Sequence, residues 1–435
     1  MHMRLAITLL TLFAATLVSS FAQSPPSGFE RDRGRTMLNV IKGDIKKNYY
    51  DPNFRGMDVD ARFKEAEEKI KVATSQGQIF GIIAQALIDL DDSHTFFLPP
   101  GRSFTTEYGW QMQMIGEKCY IVAVKPGSDA EAKGLKEGDE VYSIDGFGPV
   151  RANLWKLDYT YQALRPRAGV RLVVIKPDGR EVQLDVMAKV TQGKRVLDIT
   201  GNDYFDLIRQ SENEERLHRH RYIEFGEDLL IWKMPAFDLD ESKVDEMLGK
   251  ARKRKALILD LRGNGGGAEI TLLRMVSNLF DRNVTLGELK RRKETKPLLA
   301  KTRGDSVFSG KLIVLIDSKS GSSAELLARI VQLEKRGIVI GDVSSGAVMR
   351  AKKYDYTLGQ DTVIVYYASI TDADIIMTDG KSLERVGVIP DELRLPTPGE
   401  LAAKHDPVLA YAASLAGVAI SAEKAGAFFP IEWRK

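Results

Sequence analysis

The stretch that most limits what this chain can become runs from Lys311 to Arg329. It reads Lys-Leu-Ile-Val-Leu-Ile-Asp-Ser-Lys-Ser-Gly-Ser-Ser-Ala-Glu-Leu-Leu-Ala-Arg. The unbroken apolar run Leu312 to Ile316 suits a strand buried on both faces. Small polar residues follow, Ser318 to Ser323, and then a helical pattern with Leu326, Leu327, Ile330 and Val331 on one face. A strand, a tight turn and a helix in that order hold a side chain at the end of a rigid element. The first N–H groups of the helix then face outward, where they can stabilise an oxyanion. Taken alone, the turn reads first as a Ser-rich helix cap, because Ser is a favoured N-cap residue. Other segments have to separate cap from nucleophile.

Composition narrows the setting. A chain of 435 residues with 43% hydrophobic and 28% charged residues is that of a folded protein of about two or three domains. The net charge of +3 is small, and the basic clusters Arg252 to Lys255 and Lys290 to Lys293 are short. They read as solvated helix faces, so no nucleic-acid partner is expected. Residues 1–22 have the form of an export signal: Arg4, an apolar core from Leu5 to Val18, then Ser20-Phe21-Ala22. Cleavage is expected between Ala22 and Gln23, giving a periplasmic or secreted chain with no later membrane span. Cys119 is the one cysteine, so no internal disulfide forms, and a buried, inert thiol is expected.

Along the chain, residues 23–104 carry helical spacing (Met37, Val40, Ile41, Ile45 and Tyr49, then Phe63, Ala66 and Ile70, then Ile79 to Leu90) and read as an N-terminal helical domain. Residues 105–190 switch to short alternating strands, Tyr120 to Val124, Glu140 to Ile144 and Val170 to Ile175, separated by Gly-containing turns. Helices are expected at Asp129 to Gly134 and Ala152 to Leu164. The run from Ala123 to Gly146 resembles a PDZ domain. That resemblance implies capture of a peptide at a sheet edge, with the loop Tyr108, Gly109, Trp110, Gln111 and Met112 at its end, a loose fit to the usual Gly-rich carboxylate loop. Residues 191–228 read as a charged linker or hairpin. Its His218 and His220 lack further Cys or His partners for a metal, and none is expected. From 229 to 435 strands alternate with helices, the pattern of an α/β core with a mixed or largely parallel sheet.

One more segment can carry chemistry. Asp260-Leu261-Arg262-Gly263-Asn264-Gly265-Gly266-Gly267 follows an apolar run and opens a helix. Consecutive glycines let backbone N–H groups approach a ligand oxygen. The Lys-Ser or Lys-Thr of a phosphate loop is absent, which leaves a structural turn or an oxyanion donor. The order of helical segment, PDZ-like module, Asp-x-Arg-x-Asn-x-Gly-Gly and a Ser-rich turn before Ala-Glu resembles the tail-specific, C-terminal-processing serine peptidases over nearly the whole chain. The resemblance implies a ClpP- or crotonase-like core with an inserted PDZ domain. It implies that Ser322, three residues before Glu325, is the nucleophile, with Ser320 and Ser323 as neighbours only. It also implies that the N–H groups of Ser323 and of Gly265 or Gly266 receive the oxyanion.

The chain departs from the commonest form of that family. The position of the activating Lys is Ala347, and that of the following Gln is Ala351. A Ser hydroxyl without a base is a poor nucleophile. Of the five His residues, His94 alone sits in a loop of small and acidic residues, Asp91-Asp92-Ser93-His94-Thr95. This loop resembles the Ser-His element of the tricorn-type peptidases, which implies His94 as general base with Ser93 in support. The stretch Glu384-Arg385-Val386-Gly387-Val388-Ile389-Pro390-Asp391 resembles the family's Glu-x-x-Gly-Val-x-Pro-Asp element, which implies that Glu384 orients His94. The expectation is an exported serine endopeptidase that acts on polypeptide through an acyl-enzyme on Ser322. It needs no cofactor and no metal, and assembly into a homo-oligomer is left open. The rivals are a non-catalytic peptide-binding scaffold and an esterase-type serine hydrolase.

Overall fold

The computed structural model describes residues 26–102, 104–192, 219–359 and 363–433. The expected export signal, its cleavage point and His218 lie outside them. Five parallel strands, Leu229–Lys233, Ala256–Asp260, Lys311–Ile316, Gly337–Gly341 and Glu392–Leu393, form the central sheet, and Arg221–Phe225 closes one edge antiparallel. Both faces are covered, which is why these strands are continuous apolar runs. Leu230, Trp232, Leu257, Leu259, Leu312 and Val314 point to the face that packs helices Glu241–Ala251, Glu269–Leu279 and Ser323–Leu333. Leu229, Ile231, Ile258, Ile313 and Leu315 point the other way, onto helix Pro407–Leu415.

A second sheet is wholly antiparallel. The long strand Ile364–Met377 sits at its centre and pairs with Phe96–Leu98, Val284–Arg291 and Met349–Leu358, while Thr295–Ala300 extends the edge. The basic cluster Lys290 to Lys293 therefore belongs to a strand end and hairpin turn, not to a helix face. Residues with charge at alternate positions suit a strand wetted on one side as well as they suit a helix. The helices Gly28–Asn48, Val59–Lys71 and Gln76–Ile88 pack on this sheet. Their buried residues form one cluster with Phe97, Tyr366, Ala368 and Ile370.

Between the strand Phe96–Leu98 and the central sheet, the chain builds a five-stranded antiparallel module from Trp110–Ile115 to Glu181–Met187. The strands Phe104–Glu107 and Lys189–Gln192 pair at its base, bringing entry and exit together. Cys119 is buried in its core. The module is bolted to the central sheet by polar contacts. Arg151 grips the Asp342 carboxylate with two bonds of 2.7 Å, and Gln113 donates to Asp317 at 2.7 Å. Among the described residues no helix is long and apolar enough to cross a membrane.

Candidate active site

Ser322 stands where the sequence places it, between strand Lys311–Ile316 and helix Ser323–Leu333. Its backbone has φ 53° and ψ −119°, outside even the small left-handed helical region open to L-residues. Such a conformation costs about 1–3 kcal/mol and persists only where the surroundings enforce it. Here they do. The Ser322 N–H is shared between the Ala347 carbonyl (2.9 Å) and Glu325 Oε2 (3.0 Å), and the Gly321 N–H is held by the Asn264 carbonyl (2.8 Å). Gly266 presses against it from the other side: a Cβ there would lie 2.5 Å from the Ser322 Cβ. The neighbouring serines are structural. Ser320 is fully buried and donates to the Leu261 carbonyl (2.9 Å), and Ser323 donates to the Gly267 carbonyl (3.1 Å).

The expected oxyanion donors separate. The Gly266 N–H is spent on Asn264 Oδ1 at 2.8 Å, so Gly266 is corrected from donor to spacer. Among the described residues the N–H groups of Gly265 and Ser323 have no protein acceptor. Ser323 is the first residue of its helix, where an N–H lacks an intrahelical partner.

The antiparallel sheet carries the other set. Pairing of Phe96 with Ser369 and of Phe97 with Ala368 fixes the chain just after His94. Glu384 follows the long strand through a turn in which Ser382 donates to Asp374 at 2.8 Å. The two segments meet at Ser93, whose N–H donates to Glu384 Oε1 (2.7 Å) and whose Oγ donates to Glu384 Oε2 (2.8 Å). Ser93 Oγ also lies 2.7 Å from His94 Nδ1. A hydroxyl has one proton, and it goes to the carboxylate. Oγ must therefore accept from Nδ1–H, which leaves Nε2 as the lone-pair nitrogen. The expectation that Glu384 orients His94 is corrected in one respect: its carboxylate touches Ser93 and reaches His94 through that hydroxyl. Burial lowers the His94 pKa, with Asp92 pulling in the opposite direction, so the imidazole is neutral at neutral pH. Burial raises the Glu384 carboxyl, and its bonds to Ser93 and to the Val348 N–H (3.0 Å) oppose that rise.

One loop joins the two sets. Glu325, fully buried, accepts from Ser344 Oγ (2.5 Å) and the N–H groups of Gly346 (2.8 Å), Ala347 (3.0 Å) and Ser322. The next N–H, that of Val348, goes to Glu384. Ala347, where the family's common form has its Lys, thus contributes backbone groups only. His94 and Ser322 have no hydrogen bond to each other here, as is common before substrate aligns such groups. Three residues of this network were not singled out as site residues from the sequence. Glu325 stands at the Ser-x-x-Glu spacing of a capping box and could have been found that way. Asn264 lay hidden in the Gly-rich loop. Asp92 accepts from the N–H groups of His94 (2.8 Å) and Thr95 (2.7 Å), from the Tyr49 hydroxyl (2.8 Å) and from the Thr371 hydroxyl (2.7 Å). Its only sequence signal is an Asp two residues before a His.

The expected peptide loop divides as well. Tyr108 and Met112 are mostly buried in the module core, where the Tyr108 hydroxyl accepts from the Arg167 N–H (3.0 Å), and both also line the groove beside the edge strand. Gly109 has φ 75° and a Cβ there would meet Ser128 at 2.5 Å, so the turn requires glycine. Trp110 and Gln111 line the same groove. A larger cavity of about 750 Å³ separates the module from the C-terminal ends of the parallel strands, and Ser322 is not among its wall residues. Its wall includes Arg262, which is bound to Asp260 and Asp406 in a fully paired cluster. His220 bonds Asp238 at 2.8 Å, and no group of metal-ligating side chains occurs among the described residues.

One loop thus joins a strained serine at a helix N-terminus to a chain of bonds from Glu384 through Ser93 to His94. Comparison with known proteins indicates a serine-type peptidase. Residues 228–393 match the model of peptidase family S41. It is 24% identical to the tail-specific protease of Haemophilus influenzae over 338 residues, 73% of this chain but 46% of that protein. To the chloroplastic C-terminal processing peptidase of Tetradesmus obliquus it is 23% identical, over 80% of this chain and 74% of that one. Its fold is similar to that of mature CPAF, with a TM-score of 0.64 at 14% identity, covering 86% of this chain and 94% of the other.

Proposed function

We propose that this peptidase is an exported endopeptidase whose nucleophile is Ser322 and whose general base is His94. Ser322 Oγ attacks the carbonyl of a bound polypeptide and its proton passes to His94 Nε2. The imidazolium formed keeps its Nδ1–H on Ser93 Oγ, and Glu384 holds the Ser93 proton and balances the charge. The N–H groups of Gly265 and Ser323 receive the oxyanion. His94 then gives its proton to the leaving amine, and water releases the acyl group by the reverse path. Closure of His94 onto Ser322 accompanies substrate binding. The 105–190 module acts as a PDZ domain, holding extended polypeptide along the edge strand Trp110–Ile115. The N-terminal stretch with its apolar core directs the chain to the periplasm or beyond.

The observation that carries this reading is the bond chain from Glu384 through Ser93 to His94. It fixes the tautomer a base requires, in a chain whose family-type Lys position is Ala347. A fluorophosphonate probe should label the protein on Ser322, and Ser322→Ala should abolish both labelling and cleavage of an unfolded protein substrate. Labelling that survives Ser322→Ala would remove Ser322 from the role.

A further inference from the structure

The groove between the edge strand Trp110–Ile115 and the helical segment Leu154–Leu164 encloses about 290 Å³. Trp110, Met112, Ile144, Tyr161 and Val170 give it apolar walls, and Gln111 and Gln162 also line it. Two charged side chains share it. Asp158 comes from the helix, and Lys319 comes from the Ser-rich turn of the core, three residues before Ser322. Among the described residues neither side chain makes a hydrogen bond or an ion pair. They act on each other only at longer range, and burial raises the Asp158 carboxyl while the Lys319 charge opposes it. The Trp110 Nε1–H is also buried without an acceptor. Ser318 Oγ donates to the Met114 carbonyl at 2.5 Å, so the turn that holds Lys319 covers the far end of the edge strand. Lys319 lines the same groove as Trp110, Gln111 and Met112 of that strand.

Resting on the reading of the module as a polypeptide-binding domain, we infer that the groove selects an extended segment with a carboxamide or hydroxyl side chain placed between Asp158 and Lys319. A side chain that donates and accepts at once satisfies both. A cation satisfies Asp158 and is repelled by Lys319, and an anion does the reverse. An apolar side chain leaves both charges desolvated and unpaired, which a site built for hydrogen bonds penalises heavily.

The test uses the full chain carrying Ser322→Ala, which binds without turnover, and short fluorescein-labelled peptides read by anisotropy. Each peptide position is varied in turn among Gln, Ser, Leu, Lys and Glu. At one position Gln or Ser should bind about tenfold or more tighter than Leu, Lys or Glu. Lys319→Met should turn the preference there toward Lys, and Asp158→Asn should turn it toward Glu. Lys319→Arg and Asp158→Glu, which keep the charges, should retain the parent order. The same order in both charge-removing variants, or no position with the preference, overturns the inference. Anisotropy that no peptide raises would remove the polypeptide-binding reading of the module, whereas binding without the positional preference removes this inference, so the two fail separately.

Discussion

The two sheets of the core build their shares of the candidate site by different means. The parallel sheet supplies Ser322 and the Gly265 and Ser323 N–H groups from turns that directly follow its strands. What it delivers is backbone geometry: a strained φ/ψ pair, two free N–H groups and a glycine pressed against the serine. The antiparallel sheet supplies Ser93, His94 and Glu384 from segments 291 residues apart in sequence, joined only when Phe96–Leu98 pairs with Ile364–Met377. What it delivers is side-chain orientation, fixed by charge-assisted bonds. A nucleophile turn can be made locally because strand, turn and helix are local. A base needs its tautomer set, and that takes a partner from elsewhere in the fold.

Breaking the base should cost most. His94→Ala should lower kcat/KM on a peptide substrate by about 10⁴-fold while leaving the far-UV circular dichroism unchanged. A variant with wild-type turnover would take the base away from the antiparallel sheet. The relay is sharpened by a double-mutant cycle. Ser93→Ala should lower kcat/KM by about 10²-fold, Glu384→Gln by a similar amount, and the pair by little more than either alone, because each breaks the same bridge. Additive losses would mean that Glu384 acts on His94 by a path that bypasses Ser93.

The contrast between the sheets also accounts for what the sequence revealed. Strands buried on both faces leave a direct mark, so Ala256–Asp260 and Lys311–Ile316 read as apolar runs with their turns in plain view. Ser322 was picked out of its turn by the resemblance to the tail-specific peptidases, which also narrowed the second donor to two residues of the Gly-rich loop. Only the bond between Asn264 and Gly266 separates those two. The antiparallel strands leave a weaker mark. Met349–Leu358 carries Arg350, Lys352, Lys353 and Asp355, and Val284–Arg291 ends in charge, because one side faces water. His94 and Glu384 were reached through short motifs, with no sign of the sheet that brings them together. The bridging role of Ser93 is a matter of a few tenths of a nanometre between residues 93 and 384, which no local pattern encodes. Asp158 and Lys319 show the same limit: one groove is lined from two elements far apart in the chain.

A pH profile asks which sheet controls turnover. His94 must be neutral to accept a proton, so activity is lost as pH falls through its pKa. Burial lowers that pKa from the ordinary value near 6.5, so the acid limb of kcat/KM should have its midpoint below 6.5. Glu325, on the parallel side, is pushed up to about 7 by burial against the pull of its four donors. A limb near 7 that disappears in Glu325→Gln would shift control to the loop that holds Ser322.

The smallest effect separates strain from bonding. Ser322→Ala keeps a Cβ at φ 53° and ψ −119° and so keeps the strain; Ser322→Gly removes it. Relief of about 1–3 kcal/mol is offset by about 0.5–1 kcal/mol for the greater freedom of glycine in the unfolded chain. Ser322→Gly should therefore be more stable than Ser322→Ala by about 1 kcal/mol, read as a higher urea midpoint at an unchanged slope. Equal midpoints would mean that the turn imposes no strain on Ser322. The parallel sheet would then contribute only position and the two N–H groups, and the difference between the two halves of the site would narrow to which bonds hold each one.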